Sequence, residues 1–106
     1  MALANAIQGA KRPSQNITWK REDGTPEDLT GATITGKLLL RGQLAATSIS
    51  GTFTVVDGPN GVFRWDYGTS DVATAGTYKV QFVASFGADP TPAKTFITEW
   101  VVVESL

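Results

Sequence analysis

The chain carries few residues able to do chemistry, and their placement limits what chemistry that would be. It has no histidine and no cysteine, which removes the commonest general base, the commonest transition-metal ligand, and disulfides, thiolate chemistry and zinc sites built on sulfur. Carboxylates remain. Glu22, Asp23, Glu27 and Asp28 crowd one short stretch, and oxygens in such a loop can hold calcium. The alternating ligands of an EF-hand are missing, and Asp23-Gly24 is equally a turn, so a solvated acidic loop is the reading adopted. Glycoside chemistry would need two facing acids. Asp66 is the one acid well inside a strand-like segment, on the side away from Phe63 and Trp65, and a hydrolase would have to rest on it or on Asp71. Gly58-Pro59-Asn60-Gly61 looks like a phosphate loop, but no helix start follows it to hold an anion.

Aromatic residues are the other candidates. Trp19, Trp65, Trp100, Tyr67 and Tyr78 could stack on sugar rings, which makes a carbohydrate-binding module the alternative functional reading. All three tryptophans fall on the apolar side of an alternating segment, where filling a core is the ordinary role. No catalytic, cofactor-binding or metal-binding residue is therefore assigned, and no cofactor is expected.

The elements around these residues are strands. In Tyr78, Val80, Phe82, Ala84 and Phe86 the apolar positions alternate with Lys79, Gln81 and Ser85, the period of a half-buried strand. Asp71 to Gly76 is a turn that delivers Tyr78 into the core, and the other strands are expected to pack on this one. Earlier in the chain, 14–21 places Ile17 and Trp19 on one face, and 32–40 does the same with Ile34, Leu38 and Leu40. Gly36 lies on that apolar face and predicts a bulky neighbour across it, such as a tryptophan. The stretch 47–56 reads as one strand with Ile49, Gly51, Phe53 and Val55 together, and 62–67 returns with Phe63, Trp65 and Tyr67 inward. Residues 87–92 read as a loop stiffened by two prolines. Residues 94–104 form the last strand, with Phe96, Trp100 and Val102 inward and Ile97, Val101 and Val103 making an apolar outer face, a candidate contact surface. Fourteen threonines and the lack of helical periodicity after residue 13 agree with this. The fold class is all-β, an antiparallel β-sandwich of six to seven strands.

Residues 1–13 are read as an N-terminal arm, flexible or docked on a partner, and 14–106 as the sandwich. Nine basic and ten acidic residues give a net charge of -1, too little positive field to grip nucleic acid. No apolar run approaches the ~20 residues of a bilayer span, and the N-terminus lacks a secretory signal, so the chain is expected to be soluble and unprocessed, without a membrane or nucleic-acid partner. Its folded surface should be about 5,700 Å². Charge this sparse predicts that part of it is covered in use. The run from Gly42 to Val56 has no charged residue at all, so it is either central in its sheet or an edge that a partner covers.

Asp23-Gly24-Thr25-Pro26, Asp28-Leu29-Thr30-Gly31-Ala32, Asn60-Gly61-Val62-Phe63 and the stretch from Asp71 through Gly76-Thr77-Tyr78 resemble, in order and spacing over about 14–104, the immunoglobulin-like N-terminal domain of phage baseplate upper proteins and related tail proteins. The resemblance implies an immunoglobulin-like sandwich that attaches tail or baseplate parts to one another and has no catalytic residues. Asp71, Gly76 and Tyr78 match the corner, and Gly24, Leu29 and Gly31 the first loop, all in structural roles. In that family the domain precedes a longer fibre or receptor-binding region, whereas this sequence ends at Leu106. It is therefore expected to be a standalone connector, capsid decoration module or small tail subunit. The function expected is that of a non-enzymatic structural component of a virion assembled in the host cytoplasm. Its partners would be other virion proteins and copies of itself.

Overall fold

A computed structural model of the chain describes residues 3–12, 14–21, 23–87, 89–94 and 97–106, with the backbone course alone over 89–94. Nine strands are described: β1 (Ala6–Ile7), β2 (Gln15–Thr18), β3 (Ala32–Leu40), β4 (Thr47–Ser48), β5 (Thr52–Asp57), β6 (Val62–Asp66), β7 (Gly76–Phe86), β8 (Asp89–Lys94) and β9 (Thr98–Val103), with one 3-10 turn at Thr69–Asp71. They form two sheets, β1-β9-β7-β3-β4 with β8 also on β7, and β2-β6-β5. This is the order of an immunoglobulin sandwich, in which strands B, E and D face G, F, C and C′.

The organising strand is β7. It pairs with β3 over nine consecutive positions, from Ala32 opposite Phe86 to Leu40 opposite Tyr78. Its other side takes β9 along its first half and β8 beyond. Alternation then sends Tyr78, Val80, Phe82 and Ala84 inward, all buried. Across the gap, β6 presents Phe63 and Trp65, both fully buried. Phe63 meets Phe82 edge-on at 5.2 Å between ring centres, and Trp65 packs on Trp100 at 4.6 Å. These contacts fasten one layer to the other, and burying each such side chain contributes about 2–3 kcal/mol. The Tyr78 hydroxyl donates to the Thr74 carbonyl at 2.6 Å, closing the corner before β7.

Several sequence expectations are corrected. The stretch 47–56 is two strands in different sheets: β4 pairs with β3, the chain crosses at 49–51, and β5 pairs with β6. The bulky neighbours of Gly36 are Ile49 and Phe82, the latter 3.1 Å from where a Cβ would sit, and neither is a tryptophan. Strand pairing begins at Asp89, inside the stretch read as a loop, so the return along β7 consists of β8 and β9 in place of one strand over 94–104. Proline is tolerated here because β8 is an outer strand paired only with β7. Phe96 lies outside the described residues. Within 1–13, β1 runs parallel to β9, with Ala6 opposite Val102 and buried. This is the one parallel pair among the described strands. Accessible surface is 6540 Å², above the sequence expectation, for a shape 43 × 29 × 25 Å across; an elongated two-layer body exposes more than a compact one of equal mass.

Candidate interaction surface

Among the described residues, the acids and aromatic residues singled out by the sequence hold the fold. Asp71 is 1% exposed. It accepts from the Ser50 amide (2.8 Å) and hydroxyl (3.2 Å), the Gly51 amide (2.9 Å) and the Gly68 amide (2.8 Å). The carboxylate thus ties the crossing segment 49–51 to the chain leaving β6. Gly51 has to be glycine there, because a Cβ would run into the Asp66 carbonyl and stand 2.7 Å from the Gly68 nitrogen. Asp66 pairs with Arg64 at 3.2 Å on the outer face of β6. Asp66 and Asp71 therefore do not combine into the facing, solvent-reaching acids that a hydrolase needs.

The acidic loop is two repeats of one local device. Asp23 accepts from the Thr25 amide (3.0 Å) and hydroxyl (2.6 Å), and Asp28 does the same with Thr30 at 2.9 and 2.6 Å. Such Asx turns fix the loop conformation. These bonds, the threonine hydroxyl first, hold both carboxyls below their ordinary value. Glu27 meets Arg21 at 2.7 Å. Glu22 lies outside the described residues. Among the described residues no group of three acids is placed to hold a metal ion.

The aromatic set lies between the sheets. Trp19, Trp65, Trp100, Tyr67 and Tyr78 are each at most 7% exposed, so none offers a face to a sugar ring. Trp100 donates its indole N–H to the Ala4 carbonyl at 3.0 Å. Gln15, buried at the edge of β2, donates to the Tyr67 hydroxyl (2.7 Å) and Ala4 carbonyl (3.3 Å) and accepts from the Ala4 amide (3.0 Å). These contacts seat the segment before β1 on the sandwich, a role for Gln15 that its polar type hides in the sequence.

What remains available is surface. The outer face of β9 carries Val103, Ile97 just before it, and half-buried Val101, with Ile7 of β1 beside Val103; Ile7 and Ile97 are more than half exposed. These are the outer-face apolar residues expected from the sequence, with the exposed Glu99 between Ile97 and Val101 on the same face. A second surface lies at the opposite side of the molecule, where β5 is the last strand of its sheet. Among the described strands, the uncharged run 42–56 thus supplies β4 and β5, each at the end of its sheet, and is central in neither. No helix among the described residues is long and apolar enough to cross a membrane.

No family model matches the sequence, and no curated protein matches it. Among solved structures the chain is similar to the N-terminal domain of phage TP901-1 ORF48, with a TM-score of 0.63 and 16% identity over 93% of this chain and 83% of that one. At that identity what the two share is the fold.

Proposed function

We propose that the chain is a non-enzymatic structural module of a bacteriophage or prophage particle, a tail or baseplate connector or a decoration subunit, acting through protein–protein contacts. The observation that carries this reading is the likeness along nearly its whole length to a phage domain. Two features support it. The carboxylates that could have served catalysis are spent on turns and on the crossing segment. Three exposed apolar residues, Ile7, Ile97 and Val103, lie together on the outer face and margin of one sheet, where a flat partner surface can cover them. Many weak contacts of this kind on a symmetric particle add up to firm attachment. The partners are other virion proteins and further copies of the chain, and the location is the virion, built in the host cytoplasm. The carbohydrate alternative gains nothing from the structure, because the tryptophans and tyrosines it would need are in the core.

The test uses particles from a phage deleted for the gene. Purified protein mixed with them should co-sediment at a stoichiometry set by particle symmetry, and substituting Ile97→Glu together with Val103→Glu should weaken this at unchanged melting temperature. Protein that stays in the supernatant at every concentration would contradict the reading.

A further inference from the structure

The sandwich is open along one side. β5 pairs with β6 on one edge only, and no described strand takes the other. Facing it, β3 is covered by β4 only at Lys37 and Leu38, with Ile49 reaching the Gly36 carbonyl. Between them lies a groove of about 500 Å³ whose walls include Ile34, Ile49, Phe53 and Val83. Natural edges are usually blunted by charge or proline. Here neither device occurs from Gly42 to Val56, although the far end of β5 carries a bulge between Val55 and Asp57 and closes on the charge of Asp57, so only the first five residues of the strand are unprotected.

We propose that this edge receives a second copy of the same chain, β5 against β5 in antiparallel register across a two-fold axis, joining the two three-stranded sheets into one of six. Charge favours this occupant. In a two-fold antiparallel pair the residue on the axis faces its own copy and its neighbours face one another's copies, so like charges there would oppose each other; Thr52-Phe53-Thr54-Val55-Val56 has none. Centred on Thr54, the pairing sets Thr54 against Thr54 on the outer face and Phe53 against Val55 on the inner face. Both are combinations that stabilise a ladder. Phe53 and Val55 are only partly buried in the single chain, and the second copy completes their burial while closing both grooves. The five residues that pair mutually, Thr52 to Val56, run about 17 Å, and across the thickness of a two-layer sandwich this gives roughly 850 Å² buried in total, the size of a weak, transient contact. The pair is therefore weak alone, with a dissociation constant on the order of 10–100 µM, and gains strength where copies are held close.

This rests on the reading of the chain as an assembly module and names the surface its copies use. Sedimentation equilibrium of the full chain should show the mass rising from 11.3 kDa toward twice that value as concentration passes through this range. Thr54→Lys, at an exposed position, should raise the dissociation constant at least ten-fold with the melting temperature unchanged. Asn16→Lys, on the opposite edge strand of the same sheet, should leave it as it was. A protein monomeric at 500 µM, a Thr54→Lys variant that still pairs, or dissociation by Asn16→Lys would each overturn the proposal. A monomer that nonetheless joins particles would sink the pairing and spare the virion reading, and a dimer that never joins them would do the reverse.

Discussion

Asp71 shows how one residue can decide a connection. Its carboxylate takes three backbone amides, two from 50–51 and one from Gly68, and truncation would leave these partly buried donors without their acceptor. Asp71→Ala should therefore cost about 3 kcal/mol or more, read as a drop of over ~10 °C in melting temperature. The two central indoles differ in a testable way. The Trp65 N–H is buried with no partner among the described residues, whereas that of Trp100 is bonded to Ala4. Trp100→Phe should thus cost about 1 kcal/mol more than Trp65→Phe in urea unfolding, the size of one net hydrogen bond. Tyr67 and Tyr78 have hydroxyls raised above the ordinary 10.0, chiefly by burial, with the charge of Asp71 adding at Tyr78. Below pH 10 both states keep the proton and stability is whole. Above it the unfolded chain ionises first, so stability falls as pH rises toward the raised folded values. Melting temperatures across pH 8 to 11 should bend downward near 10, and less so in Tyr67→Phe.

At the level of elements, the crossing from β4 to β5 is the most constrained joint. Gly51→Ala would drive a methyl group into the Asp66 carbonyl, and at this site backbone would have to move. Severe destabilisation is expected, against about 1 kcal/mol for Gly42→Ala, where φ is +93° and nothing lies within 4 Å. Differential scanning calorimetry of the two variants separates steric collision from backbone strain. The same joint marks the limit of what the sequence discloses. Strands β3, β6 and β7 are legible because each alternates cleanly and buries one face. The run 47–56 keeps its alternation straight through a change of sheet, since Ile49 and Phe53 both point inward from different layers. Only Ser50-Gly51 interrupts it, and that pair reads as a crossing only once the buried partner, Asp71, is known. The prolines of 87–92 signal a loop, yet an outer strand that pairs on one side alone does not need every N–H. The seating of β1 was hidden for a different cause: two residues are too short to show a period, and Gln15 and Trp100 hold that segment from far away in the chain.

At the level of the molecule, the tryptophans and tyrosines lie inside, and Asp23, Asp28, Glu27, Asp66 and Asp71 are engaged in turns, pairs or the crossing segment. The apolar outer face around Ile97 and Val103 was readable as alternate residues of the last strand, but the open side bordered by β3 and β5 was not, because which strand ends a sheet depends on pairing order and leaves no local mark in the sequence. The two surfaces lie at opposite margins of the sandwich, so under the two proposals above one copy would contact another and a different neighbour together. The measurement that bears most directly on this account is an electron cryo-microscopy density of the purified particle at side-chain resolution. It should contain symmetric copies of this two-layer sandwich, with the indoles of Trp65 and Trp100 enclosed and Ile97 and Val103 against a neighbouring protein. Particles of normal composition that hold no copy of the chain would contradict it.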